Sequence, residues 1–457
     1  MAADAKQSPA LFDPAAFRSF RFLGRELDAR GHVTLRYALD EKLAFVEELE
    51  LPIEAALSDE QLARAQGLLS LLHWVAGVSY FKTAAPPIIS CEAGAPPPAA
   101  AALLEALYSE GLGEFAYANG LPALPRPRFP RGPAPPQAGS VPAPALERML
   151  VPVGGGKDSA VALEIARRSG ADVASFSIGD APAIARTVAV AGLEHLPARR
   201  RLDPQMAALN RAGALNGHIP VTAIVSCAAL LTAALRGFDT VVMANERSAS
   251  SGNVTWDGVE INHQFSKGMP VERLLRAAVR EAVDGLELFS ILRPASELAI
   301  ARAFARMERY HAAFTSCNAI FRIDPQLRAA SWCCECPKCR FVFLALAPFS
   351  EPGHLRDLFG RDLLEEQGQF EGFALLTATG GHKPFECVGE EEESLAAIRM
   401  LAADPRWSDH LIVRRLVAEV LPRFGQTAGN PERVLALGAD HAVPAVLMPD
   451  VRAVLGA

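Results

Sequence analysis

The apolar run Met149 to Val153 leads directly into Gly154-Gly155-Gly156-Lys157-Asp158-Ser159. From Ser159 to Arg168 the chain then takes on helical texture, with Val161, Leu163 and Ile165 as its apolar positions. A strand, a glycine turn and a helix start form a ready anion site, because backbone N–H groups and the helix dipole aim at one point. Two familiar phosphate motifs are excluded. A P-loop needs a hydroxyl where Asp158 stands and a glycine where Val151 stands. The dinucleotide fingerprint needs a glycine at Ser159. The anion is therefore bound by some third arrangement.

Around this unit, strand candidates (Met149–Val153, Val173–Ile178, Thr240–Ala244) alternate with helix candidates (159–169, 182–191, 221–236). That alternation predicts an α/β fold, a parallel sheet with helices on both faces. Pro270 and Pro294 read as first-turn prolines of two further helices. Ligands in such sheets bind beyond the carboxyl ends of the strands. Three loops are thus expected to meet: the glycine loop, the turn holding Ser177 and Gly179, and the loop opening Asn245-Glu246-Arg247-Ser248 and running on to His263 and Lys267.

At 457 residues the chain is long enough for about three domains. Residues 17–51 alternate apolar and polar, which predicts a small antiparallel meander. Ser58 with Gln61 reads as a capping box before a helix, and more helix is expected at about 99–110. Nine prolines between Leu121 and Ala145 read as a linker. The expected division is an α+β N-terminal domain at 1–121, a linker at 122–147, a nucleotide-binding domain at 148–345 and a small C-terminal region at 346–457.

A net charge of −7 argues against general nucleic-acid binding, and Arg199-Arg200-Arg201, Arg126, Arg128 and Arg131 read as solvated face or linker charge. The longest apolar run, Val221 to Leu235, is too short for a bilayer and contains Thr222, Ser226 and Thr232, so it reads as a buried core helix. Neither a nucleic-acid nor a membrane partner is expected, and the N-terminal sequence lacks the apolar core of a secretory signal. Eight unevenly spread cysteines do not make a disulfide framework, and a cytoplasmic enzyme is the expectation.

Four of those cysteines, Cys317, Cys333, Cys336 and Cys339, follow C-x15-C-x2-C-x2-C. Thiolates at this spacing can wrap a tetrahedral metal, zinc by default, with four protein ligands and hence a structural role. An iron–sulfur cluster and unrelated buried cysteines are the alternatives.

The glycine loop resembles the pyrophosphate loop S-G-G-x-D-S of the PP-loop ATP pyrophosphatase superfamily, with Gly154 in place of the first serine. That resemblance implies cleavage of ATP to AMP and pyrophosphate with adenylylation of a substrate. It also implies ATP and Mg²⁺ at Gly154, Gly155, Gly156, Lys157, Asp158 and Ser159. Thr315-Ser316-Cys317 followed by the cysteine motif resembles 7-cyano-7-deazaguanine synthase, which adenylylates a carboxylate. Over nearly its whole length the chain resembles the UDP-N-acetylmuramoyl-L-alanyl-L-glutamate epimerase family. The residues carrying this are Val153 to Ser159, Asn216 to Thr222, Asn245 to Ser250, Asn262-His263-Gln264, Cys336 to Arg340 and Lys383 to Gly389.

That likeness implies inversion of a terminal L-glutamate through an acyl adenylate, with UDP-MurNAc-L-Ala-L-Glu as the small-molecule substrate. His218, His263, His382 and Cys387 are the candidate proton-transfer groups by type. Asn245, Glu246, Arg247 and Lys267 are candidates to bind the substrate, Arg247 and Lys267 through its carboxylates or diphosphate. Two rivals remain: a PP-loop ligase or thiolase acting on a nucleobase or tRNA, and a non-catalytic nucleotide-binding protein.

Overall fold

The computed structural model describes residues 11–134, 145–321, 329 and 331–456. Eleven strands are present among them: β1 (Ser19–Leu27), β2 (His32–Leu39), β3 (Leu43–Glu50), β4 (Ile88–Cys91), β5 (Arg148–Pro152), β6 (Asp172–Ile178), β7 (Glu194–Arg201), β8 (Thr240–Met243), β9 (Val254–Trp256), β10 (Val259–Ile261) and β11 (Glu287–Ser290). Nine form one sheet in the order β11-β8-β5-β6-β7-β3-β2-β1-β4, and β9 and β10 form a separate hairpin.

From β11 to β7 the strands are parallel, as the alternation of strand and helix predicts. These strands are buried on both faces, so successive residues serve different cores. Leu150, Val241 and Leu288 pack on one face with the helices Asp59–Ala76, Val221–Arg236 and Met269–Ala282. Met149, Val151, Val242 and Phe289 pack on the other with Lys157–Arg168 and Glu297–Ala305. The C-terminal helices, among them Glu391–Ala403 and Met448–Leu455, cover that second core.

The meander at 17–51 is present as β1, β2 and β3, with Phe20, Phe22, Leu35 and Tyr37 turned into the core. It does not stand apart from the parallel strands. β3 pairs antiparallel with β7, Glu48 opposite Arg201 and Glu50 opposite Arg199. The reading of Arg199-Arg200-Arg201 as solvated charge holds for the exposed Arg199 and Arg201 and is corrected for Arg200. Arg200 Nε lies 2.7 Å from Glu47, which is fully buried, and Arg201 lies 3.0 Å from Glu50. A basic strand meets an acidic one, and removing one partner of such a buried pair costs about 3–5 kcal/mol.

The proline-rich segment lies partly outside the described residues. Its described portion is laid against the N-terminal part: Phe129 and Leu124 are buried, and the Gly132 N–H donates to Pro96 O at 2.9 Å. The capping box at Ser58 and Gln61 is formed in both directions. Pro270 occupies the first turn of its helix, but Pro294 does not. The helix after it begins at Glu297, where the Ser296 hydroxyl accepts from Ala299 N and outcompetes the proline as the start signal.

Candidate active site

Strand order reverses beside β5: the chain goes on to β6 and β7 on one side and returns to β8 and β11 on the other. The crevice at that switch point is where such sheets bind ligands. The glycine loop leaves β5 here. Gly155 has φ +80°, and a Cβ on it would lie 2.5 Å from the Ala183 carbonyl carbon, so only glycine fits. Gly154 has nothing within 4 Å of a built Cβ, so crowding does not explain the missing serine. The Ser159 hydroxyl accepts from Gly154 N–H at 3.0 Å and closes the turn. Among the described residues no side chain caps the twelve-residue helix Lys157–Arg168, which leaves its first-turn amides to an anion.

Asp158 from this loop, Glu246 from the loop after β8 and Glu297 after β11 offer carboxylate oxygens within 4.8 Å of one another. Lys157 is fully buried and ion-paired to both Asp158 and Glu297, which corrects its expected place against a phosphate. Lys338 Nζ reaches Glu297 at 3.3 Å. Among the described residues Glu246 Oε1 is buried with no hydrogen-bond partner, an orphan acceptor that suits a divalent cation. Burial and the neighbouring Glu297 raise the Glu246 pKa, and Glu297 is held low, its own burial outweighed by Lys157 and Lys338.

Beyond the carboxylates lies a second cluster. The Lys267 ammonium lies 3.4 Å from Cys387 Sγ. His263 Nδ1 is 2.5 Å from Glu114 Oε2, and the His218 and His263 rings lie 4.3 Å apart. Burial alone would raise the Cys387 thiol, but Lys267 and a hydrogen bond from His263 overcome it and bring the pKa to about 6. Burial would lower His263, and the bonds to Cys387 and Glu114 reverse that, holding it at about 9. His218 is pushed down to about 4 by burial and by His263. At neutral pH the cluster therefore holds a thiolate, an imidazolium and a neutral imidazole.

Glu114, His218 and His263 also lie close enough to share an ion. The direct Glu114–His263 bond and the repulsive field of the nearby Lys267 on His218 suit proton transfer better. The two clusters are joined. The Lys338 backbone N–H donates to Glu386 at 2.9 Å, one residue before Cys387, while the Lys338 ammonium touches Glu297.

Several expected residues sit elsewhere. The Arg247 guanidinium donates to Val434 O and Ala436 O, tying its loop to the C-terminal region rather than facing a ligand. His382 is exposed and bonded to Lys383 O, outside the cluster. Asn245 Nδ2 donates to Ser290 Oγ and braces the end of β8 against β11. Ser177 is buried at the end of β6, its hydroxyl bonded to Gly179 O at 2.8 Å.

The sulfurs of Cys317, Cys333, Cys336 and Cys339 all lie within 4.8 Å of one another. Cys333–Cys339 and Cys336–Cys339 are 3.7 and 3.5 Å apart, near the ~3.8 Å edge of a tetrahedron with Zn–S of about 2.3 Å. The N–H groups of Cys333, Cys336 and Cys339 point at neighbouring sulfurs, hydrogen bonds that stabilise the negative charge of thiolates. The quartet abuts the glycine loop: Thr315 N–H donates to Gly155 O, and Ser316 Oγ would lie 2.9 Å from a Cβ on Gly156.

A sequence description of the MurL N-terminal domain matches residues 11–291, and one of the MurL C-terminal domain matches residues 313–430. The chain belongs to the MurL family. Among relatives of this MurL-family chain is a UDP-N-acetyl-α-D-muramoyl-L-alanyl-L-glutamate epimerase of Micromonospora sp. The two are 47% identical over 444 residues, covering 93% of this chain and 96% of the relative. Proteins of the same name from Salinispora tropica and Xanthomonas oryzae pv. oryzae are 47% and 42% identical. They are aligned over 90% and 97% of this chain, and over 91% and 98% of their own lengths.

Three residues of the candidate site escaped the sequence reading. Glu114 lies in the six-residue helix Gly113–Ala118, where a glutamate reads as ordinary surface charge. Glu297 reads as a first-turn acid of its helix, and Lys338 as one more residue of the cysteine motif. Among the described residues no helix is long and apolar enough to cross a membrane.

Proposed function

We propose that this chain is an ATP-dependent epimerase. It would convert the terminal L-glutamate of UDP-MurNAc-L-Ala-L-Glu to D-glutamate through an acyl adenylate, releasing AMP and pyrophosphate. The observation that carries the reading is the meeting of the glycine loop's uncapped helix with the Lys267–Cys387 contact and the Glu114–His263 pair. The names of the relatives supply the substrate.

The loop amides of Gly155 and Gly156, the Ser159 hydroxyl and the free helix N-terminus would receive phosphates. Asp158, Glu246 and Glu297 would hold Mg²⁺, which supplies charge neutralisation on the phosphates. The cysteine quartet would hold a structural Zn²⁺. Lys267 has the charge and position to steer a substrate carboxylate toward the loop.

Adenylylation masks the carboxylate charge that opposes a carbanion, so the neighbouring Cα–H becomes acidic enough for a side-chain base. Cys387 takes that proton as a thiolate. His263, backed by Glu114, delivers a proton to the opposite face as an imidazolium once the substrate Cα has replaced its hydrogen bond to Cys387. The resulting thiol gives its proton to solvent and the imidazole takes one from it, which restores the charged pair. Lys267 favours that return, because it stabilises the thiolate.

The pH dependence has a fixed sign. Activity needs Cys387 deprotonated and His263 protonated. kcat/KM therefore rises as pH climbs through about 6 and falls as it passes about 9. A profile measured from pH 5 to 10 checks both limbs.

The deciding assay follows AMP, pyrophosphate and glutamate configuration together, with UDP-MurNAc-L-Ala-L-Glu present or absent. AMP formation that depends on the substrate is expected, with one deuterium entering the glutamate Cα per inversion in D₂O. No AMP with that substrate sinks the reading. Inversion without deuterium entry removes the proton-transfer mechanism.

A further inference from the structure

Each of three chain segments that build the proton-transfer cluster also carries an aromatic ring a few residues away. The helix Gly113–Ala118 carries Glu114 and, one turn on, Tyr117. The hairpin β9–β10 carries Trp256, and its exit carries His263. The loop before Glu391–Ala403 carries Phe385 and Cys387. The three rings come together: Tyr117 lies 6.1 Å from Trp256 and 5.5 Å from Phe385, centroid to centroid. Tyr117 is 39% exposed, and Trp256 and Phe385 are half-buried.

Asn253 locks this arrangement to the reacting groups. Its amide donates to Pro384 O at 2.7 Å, and its carbonyl oxygen accepts from His263 N–H at 2.8 Å. The rings are thus held at a fixed offset from Cys387 and His263. Three helical residues separate Glu114 from Tyr117 by about 4.5 Å along the axis, and two extended residues separate Phe385 from Cys387 by at most about 7 Å.

We infer that Tyr117, Trp256 and Phe385 form a stacking subsite for the pyranose ring of the substrate. The inference rests on the proposed epimerase reading. In the proposed substrate one alanine, about 3.5 Å long, and a short ether-linked acyl arm separate the reacting glutamate from the sugar. The alanine and the acyl arm together reach about 7 Å from the glutamate Cα, comparable with the span between Phe385 and Cys387. A pyranose offers a face of C–H groups that packs on aromatic rings, while its hydroxyl and acetamido groups stay at the wet edge. Partly exposed rings suit such a partner better than a peptide's charged ends. The platform therefore selects a sugar-bearing peptide over a free one.

The test uses the full chain and two probes, UDP-N-acetylmuramic acid without peptide and UDP-MurNAc-L-Ala-L-Glu. Binding of the first is expected to change intrinsic tryptophan fluorescence in the wild type. In Trp256→Phe the fluorescence change is lost while affinity, measured calorimetrically, stays within about threefold, because a ring remains. Trp256→Ala and Tyr117→Ala are each expected to weaken binding of UDP-N-acetylmuramic acid roughly tenfold, about 1.4 kcal/mol. They are expected to raise KM for the full substrate by a similar factor with kcat within about twofold.

Unchanged affinity and KM in both folded alanine variants, checked by circular dichroism, overturn the inference. A fall in kcat with KM unchanged overturns it too, since the rings then serve the chemistry and not the sugar. If the wild type inverts no substrate, the epimerase reading fails by itself, and the binding arm alone decides the platform.

Discussion

In Cys387→Ala, glutamate inversion is expected to fall by ~10²–10⁴-fold, the range of general acid–base catalysis, while substrate-dependent AMP release persists. Activation and proton transfer occupy different ends of the crevice, so they are separable by mutation. The loop amides, Asp158 and Ser159 are untouched by this change. The acyl adenylate would still form and be lost to water, giving AMP without D-glutamate. Deuterium entry at Cα should stop with inversion. Cys387→Ser should not recover it, because a serine hydroxyl beside Lys267 remains far too weak an acid to be ionised at neutral pH. Inversion within tenfold of wild type in Cys387→Ala would remove the thiolate from the mechanism and leave neutral His218 as the base, 4.3 Å from His263 ring to ring.

The second large effect is expected at the cysteine quartet. Wild-type chain should contain about one zinc per molecule, and Cys339→Ser should contain far less. Structural zinc in small sites contributes about 10–16 kcal/mol of apparent binding energy, so its loss should release the local fold. Cys339 is fully buried and sits within reach of three other sulfurs, which makes serine a poor replacement. The consequence reaches the glycine loop, because Thr315 and Ser316 lie against Gly155 and Gly156. Metal-depleted protein is therefore expected to lose AMP formation along with inversion, unlike Cys387→Ala. Metal analysis, limited proteolysis around residue 317 and the AMP assay check the prediction. Full activity in zinc-free protein would refute it.

Much of the parallel half was legible because its signals are local. Met149–Val153 before three glycines, and the apolar run Val221 to Leu235, each specify their element within a dozen residues. The same holds for the Ser58–Gln61 box, which forms as expected. The candidate site was half legible. His263, Lys267 and Cys387 were picked out by residue type and loop position, and they do meet. Glu114 was invisible because its partner lies 149 residues away and nothing local distinguishes it from a surface glutamate. Lys157 and Arg247 misled for the opposite reason. Each has the right charge in the right loop, yet Lys157 is consumed by Glu297 and Arg247 by backbone carbonyls near the C-terminus. Sequence reports charge; only packing reports whether that charge is already spoken for.

The pairing of β3 with β7 also sets the order in which the protein can be made. Residues 43–50 leave the ribosome some 150 residues before their partner strand at 194–201. Until then β3 is an open edge carrying Glu47 without Arg200, its counter-charge. The acidic side chains Glu47, Glu48 and Glu50 disfavour pairing with another nascent copy of the same strand, since like charges would face each other. The basic triplet Arg199 to Arg201 then arrives as the one complementary edge. The same charges that fasten the finished sheet thereby guard its longest wait during synthesis. Neutralising them, as in Glu47→Gln with Arg200→Gln, should cost more in yield on expression than in the stability of the molecules that do fold.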